Sequence, residues 1–129
     1  MERKNISSNT VWENAVGYSR AVRVGNHVFV SGTTSTDENG IVSGAKNPYA
    51  QTIQALKNIE KALQQVGASL EHVVRTRIFV TNMAQSDTIG KAHNELFSKI
   101  RPAATMVQVQ RLISPDMLVE IEADAVIPG

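Results

Sequence analysis

The periodicities along this chain predict an α+β fold, a mixed β-sheet with two helices packed on one face. Three observations carry this. Residues of one face recur at helical spacing in two stretches, the apolar Ile53, Leu56, Ile59, Leu63, Val66 and then Ile89, Leu96, Phe97, Ile100 with His93 among them. Segments with the two-residue period of strands lie before, between and after them. The last of these, Leu118–Val126, puts Val119, Ile121, Ala123 and Ala125 on one face and Leu118, Glu120, Glu122 and Asp124 on the other. A sheet face with three carboxylates must be solvated, paired with cations, or part of a site.

Taken in order, residues 1–17 show no period and read as an irregular arm leading into Tyr18. Ser19–Val24, the turn Gly25-Asn26 and His27–Ser31 form a hairpin pattern, because Gly-Asn tolerates the positive φ such turns demand. Asn39-Gly40, between residues 33–36 and 41–42, repeats that signal. Asn47-Pro48 reads as an N-cap with proline at the first helical position, and Gly67 ends that helix. Val73–Val80 is a β-branched strand with Val74, Thr76, Ile78 and Val80 opposite Val73, Arg75, Arg77 and Phe79. The second helix starts at the capping pair Ser86 and Asp87 and runs through Ile100, until Pro102 removes an N–H and forces Arg101 out of helical geometry. Ala104–Gln110 and Leu118–Val126 complete the order ββ(β)αβαββ.

A chain of 129 residues is most simply one domain, 1–129, that buries roughly two-thirds of its unfolded surface. With no cysteine there is no disulfide, no zinc-thiolate cluster and no cysteine nucleophile. The three histidines, His27, His72 and His93, lack metal-ligand spacing, so no metal is expected. No apolar run approaches the roughly 20 residues of a membrane helix, and the chain reads as soluble and cytoplasmic, with Asn5-Ile6-Ser7 a chance glycosylation match. Thirteen basic and twelve acidic residues give a net charge of +1 without a basic stripe, which argues against nucleic acid as a partner. Two helices cover one side of the sheet, and the other side mixes Val and Thr with Arg and Glu. Such a surface suits a subunit interface and predicts a homo-oligomer with inward-facing sheets.

Gly17-Tyr18, Val30-Ser31-Gly32, Gln54–Ile59, the strand ending in Phe79-Val80, Arg101-Pro102-Ala103 and Val119–Ala123 stand in the order and spacing of a known family. Over almost its whole length the chain resembles the reactive intermediate deaminases, also called Rid or YjgF and in older usage L-PSP endoribonuclease or translation inhibitor. The resemblance implies a chorismate-mutase-like fold, a homotrimer, and small-molecule clefts between subunits. There 2-imino or enamine acids are hydrolysed to keto acids and ammonia, without a cofactor. It further implies that Tyr18 is the cleft tyrosine, that the Ser31-Gly32 backbone touches the ligand, and that Glu120 holds the attacking water. The chain departs from the family at three points: Ala104 stands where the deaminases place a carboxylate-gripping arginine, Met106 replaces a common cysteine, and Gly90 replaces the neighbouring subunit's asparagine.

Each candidate has a plainer alternative. Glu120 as a general acid or base needs a desolvated site; otherwise it is a strand carboxylate paired with Arg75 or Arg77, the pairing expected for Glu122 and Asp124. Tyr18 closes over a ligand or is an interface tyrosine with a satisfied hydroxyl. Arg101 supplies the cation missing at Ala104 or only a charge at a helix end. His93 is a proton carrier or a packing histidine, and Thr105 a cleft hydroxyl or an ordinary strand threonine. Trp12 and Arg20 belong to an N-terminal lid or to an anchored arm. Three functions follow: an imine or enamine hydrolase or tautomerase using Glu120, a metabolite-binding or sensing trimer favoured by Ala104, and a ribonuclease, which the charge disfavours.

Overall fold

A computed structural model describes residues 1–8 and 10–129. Strands β1 (Arg3–Ile6), β2 (Ala21–Val24), β3 (His27–Thr33), β4 (Val73–Val80), β5 (Ala103–Gln108) and β6 (Val119–Val126) form one sheet in the order β1-β2-β3-β6-β4-β5. All neighbours are antiparallel except β4 and β5. The last strand of the sequence therefore lies at the centre of the sheet. There its four small or branched apolar residues, Val119, Ile121, Ala123 and Ala125, are all buried in the core.

The long helices α2 (Pro48–Gln64) and α3 (Ser86–Phe97) pack on one face. Leu56, Ile59, Leu63, Ile89 and Phe97 meet Val28, Ile78, Val80, Val119 and Ile121 in a continuous buried cluster. The α+β reading with two helices on one face is correct. Asn47 caps α2 as its sequence requires, its side chain accepting from the Ala50 N–H at 3.0 Å. At the other end Arg23 of β2 donates to the Val66 carbonyl at 2.6 Å. One polar residue of α2 works inside the core: the fully buried Gln51 donates to the Gly44 and Asp116 carbonyls (3.2 and 2.9 Å) and accepts from the Leu118 N–H (2.9 Å). It thereby ties two loops to the entry of β6.

Four local expectations are corrected. The arm is not irregular, because Arg3–Ile6 pairs antiparallel with β2, and Val11–Val16 forms a short helix, α1; residue 9 lies outside the described residues. The free edge of β2 supplies the ladder that a polar tetrapeptide cannot announce by periodicity. In β4 the register shifts between Val73 and Arg75, so Val73 is buried and Val74 faces outward, against the alternation expected. Ser86 and Asp87 are not caps. The 3-10 turn Met83–Gln85 runs directly into α3, and the capping side chain is Asn82, which accepts from the Ala84 N–H at 3.0 Å. Finally, α3 stops at Phe97, short of Ile100, and β5 stops at Gln108, short of Gln110. The Asn39-Gly40 turn closes only a single bridge, Thr36 to Val42.

Replacing Gln51 by Ala takes away the side-chain partner of the Asp116 carbonyl and the Leu118 N–H, while the Gly44 carbonyl keeps the Asn47 N–H, and leaves a cavity where a fully buried side chain stood. We expect a loss of about 3 kcal/mol, read as a lower urea midpoint at unchanged slope; a change below about 0.5 kcal/mol would show that Gln51 is not the tie described.

Candidate functional site

The uncovered face of the sheet carries the carboxylates of β6, and their cation partners are set by register. Arg77 of β4 stands opposite Glu122 and reaches both Glu122 Oε1 (3.3 Å) and Asp124 Oδ2 (3.2 Å). Glu120 stands opposite Phe79 instead. It has no ion pair within 4 Å among the described residues, so the pairing with Arg75 or Arg77 entertained for it does not form. One strand thus holds two carboxylates committed to an arginine and a third left over.

What faces that third carboxylate is a distortion of β3. Val30 pairs with Ala123 and Thr33 with Ile121, so three steps on β3 match two on β6. The extra residue makes a bulge at Ser31-Gly32. Ser31 is held from β2's side, its N–H donating to the Arg20 carbonyl (3.0 Å) and its hydroxyl to the Ser19 carbonyl (2.6 Å). The Glu120 carboxyl group lies directly over Gly32: a Cβ at position 32 would sit 3.0 Å from its carboxyl carbon and overlap Oε2. Burial against the bulge pushes the Glu120 pKa up; the Arg20 guanidinium opposes the rise and the Glu122 charge adds to it. A half-buried carboxylate lodged over a strand bulge, with its pKa raised, is a candidate proton acceptor.

Ser31 and Glu122, the neighbours of Gly32 and Glu120, line a groove of about 400 Å³ with Tyr18, Phe29, Arg3 and Asp124; Glu120 and Gly32 themselves are not in its lining. Tyr18 arrives there because α1 ends at Gly17 with φ 89, a left-handed turn that glycine adopts without strain. The turn is anchored by Glu13, which is buried and whose carbonyl accepts from the Gly17 and Tyr18 N–H groups at 2.9 and 3.0 Å. Its carboxylate accepts from the Ser7, Ser8 and Thr10 hydroxyls and the Ser8 N–H. Burial alone would raise the Glu13 pKa, but these hydrogen bonds outweigh it and hold the group ionised. Sequence reasoning missed Glu13, although Thr10-x-x-Glu13 has the capping-box spacing that could have drawn attention to it.

The remaining candidates lie elsewhere. A second depression of about 320 Å³ is lined by Gly90, His93, Asn94, Phe97, Arg101 and Pro102. There the His93 ring hydrogen bonds to Thr76 Oγ1 at 3.0 Å and packs on Phe97, and burial lowers its pKa. Arg101 has φ 55, a conformation strained for any residue but glycine, with its N–H donating to the Phe97 carbonyl at 2.8 Å. Thr105 stands beside Arg77 on the outermost strand and is exposed, whereas Ala104 pairs with the buried Thr76. The structure therefore brings Tyr18, Ser31, Gly32 and Glu120 to one end of β3 and puts His93 with Arg101 at the end of α3. Thr105 belongs to neither group, since β6 and β4 separate β3 from β5 by roughly 14 Å at the usual strand spacing.

Residues 9–127 match the family described as Endoribonuclease L-PSP. A member of the YjgF/YER057c/UK114 family from Mycobacterium tuberculosis has a crystal structure similar to this chain, with 48% identity and a TM-score of 0.89, covering 98% of this chain and 100% of that one. The 3-aminoacrylate deaminase RutC of Acinetobacter baylyi is 37% identical over 84% of this chain and 85% of its own. Escherichia coli TdcF, solved with bound serine, is 27% identical with a TM-score of 0.78, covering 86% of this chain and 88% of that one.

The raised pKa of Glu120 has a consequence for stability. A group whose pKa is higher folded than unfolded contributes its stability at low pH and loses it as pH rises through the folded value. Glu120→Gln should therefore match the native protein in stability near pH 4 and exceed it at pH 7 to 8. Melting curves across that range test this; a variant less stable than the native protein at pH 8 would contradict the buried, unpaired state of the carboxylate.

Proposed function

The chain belongs to the endoribonuclease L-PSP family, whose members are also called YjgF or Rid proteins, and from that premise we propose that three copies assemble around small clefts in which Glu120 hydrolyses or tautomerises a reactive imine or enamine. The observation that carries the reading is the Glu120 carboxylate, half-buried over Gly32, whose chain neighbour Ser31 lines a groove together with Tyr18 and Glu122. The 3-aminoacrylate deaminase among its relatives supports the reaction class. Trimer formation is supported by the uncovered sheet face, where Phe29, Val74 and Val107 are 49%, 47% and 42% exposed beside the Arg77 ion pairs. Association would desolvate that face and could bring the His93 and Arg101 depression of one copy to the Glu120 groove of the next.

The chemistry needs only water. Glu120 accepts a proton from a water molecule as the water oxygen bonds to the C=N carbon and passes it to nitrogen, giving a carbinolamine; Glu120 then carries the remaining hydroxyl proton to nitrogen as the C=O bond forms and the C–N bond breaks, and ammonia leaves behind a carbonyl product. Tyr18 and the Ser31-Gly32 backbone would orient the imine against Glu120. Near-balanced charge without a basic stripe gives no support to RNA as the substrate, despite the family's older label.

A second reading is favoured by Ala104. A methyl group there cannot grip a substrate carboxylate, and a trimer that binds or senses a metabolite without turning it over needs no such grip.

Freshly generated 2-iminopropanoate separates the two. The hydrolase reading expects ammonia release above the buffer rate, a drop of about 100-fold or more in Glu120→Gln, and a sedimenting mass three times the 14.0 kDa chain. A rate equal to buffer overturns hydrolysis of imino acids and leaves the binding reading, for which Glu120→Gln keeps its ligand affinity. A lone chain at micromolar concentration overturns both.

A further inference from the structure

Arg20 is a cation outside the assigned site whose charge acts on Glu120. It immediately precedes β2, and its backbone is fixed on both sides: its N–H donates to the Ile6 carbonyl at 2.8 Å, and its carbonyl accepts from the Ser31 N–H at 3.0 Å. By the alternation of β2, Arg20 shares the uncovered face with Val22, which lines the groove, while Ala21 points into the core. Its guanidinium turns back across the bulge and Nη2 donates to the Gly32 carbonyl at 2.5 Å. Arg20 thus clamps two consecutive residues of the bulge, one through backbone and one through side chain.

Two further facts make this more than a turn anchor. Arg20 Nε is buried without a hydrogen-bond partner, a costly state for a polar group. Its guanidinium is near enough to Glu120 for the two charges to act on each other, yet among the described residues they form no ion pair within 4 Å. The other groups around Glu120 cannot play this part. On its own strand Glu122 is a like charge; on β4, Phe79 is apolar and Arg77 is engaged by Glu122 and Asp124; on β3, Gly32 has no side chain.

We infer that Arg20 is the positioning residue of this site: it sets the shape of the Ser31-Gly32 bulge on which the Glu120 carboxylate rests, and it supplies the fixed positive charge that allows an anion to be lodged there. The gap left between guanidinium and carboxylate is wider than an ion pair and leaves Glu120 free to take a proton from a water molecule. An arginine in direct contact would instead hold the carboxylate as it holds Glu122. The functional meaning of this arrangement rests on the reading of Glu120 as the working group; the arrangement itself does not.

The test is the titration of Glu120, followed by the carboxyl 13C signal of glutamate-labelled protein and assigned by its loss in Glu120→Gln. No substrate is present, so a protein that hydrolyses no imine still reports. In Arg20→Gln, or in Arg20→Met, which keeps the buried stem and drops the charge, the Glu120 midpoint should move to higher pH. In Glu122→Gln it should move to lower pH. Either Arg20 variant suffices, provided it retains the native circular dichroism and a cooperative melt. An unmoved midpoint in a folded variant overturns the inference, and so does failure of both variants to fold, which would make Arg20 a structural anchor only. With an imine substrate that is turned over, the acid limb of the rate profile should rise in pH together with the midpoint. A fall in rate with an unmoved acid limb overturns the inference while leaving the hydrolase reading intact.

Discussion

The close approach of the Glu120 carboxyl group to Gly32 is the contact on which the rest of the site depends. It requires an absent side chain at position 32 and an extra residue in β3, so that the backbone moves into the space that a regular ladder would give to side chains. The bulge in turn needs anchors outside the ladder. Ser19 and Arg20 provide them through the Ser31 N–H, the Ser31 hydroxyl and the Gly32 carbonyl. Because the chain just before these anchors carries Tyr18, the same bonds that hold the bulge also place the tyrosine in the groove.

The three carboxylates of β6 look alike in sequence and are not alike in the fold. Glu122 and Asp124 share Arg77, half-exposed, and such pairs contribute little to stability. Glu120 is two residues further from Arg77, opposite an aromatic ring, and is desolvated by the bulge. Alternation puts all three on one face; the register of β4 and the distortion of β3 decide which one is left without an ion pair. The opposite face of β6 meets the helices through Val119, Ile121, Ala123 and Ala125, all buried, so the strand that supplies the acid also runs through the middle of the core. A site mounted on a central strand has little freedom to drift.

The N-terminal region shows a polar segment ordered by a buried charge. Glu13 gathers the hydroxyls of Ser7, Ser8 and Thr10 around its carboxylate and the two N–H groups of Gly17 and Tyr18 around its carbonyl. Stripped of these bonds, residues 1–17 have too few apolar groups to hold a fixed path to Tyr18. His93 is a contrasting case, in which burial on Phe97 and a bond to Thr76 favour the neutral ring and its packing role within this chain.

By itself the sequence determined the elements whose side-chain period is strong: α2 with its Asn47 cap, the Gly25-Asn26 hairpin, and the two-faced strand Val119–Val126. Periodicity reports which side of an element is apolar, and for these the tertiary structure had only to supply the partner face. It could not reveal β1, because Arg3–Ile6 has no apolar period and exists through backbone bonds to an edge. Nor could it reveal the shift that turns Val74 outward, the bulge at Ser31-Gly32, or the choice of Phe79 rather than an arginine opposite Glu120. Each of these is a matter of register between strands distant in the chain, and register is decided by the fit of whole faces rather than by any local run of residues.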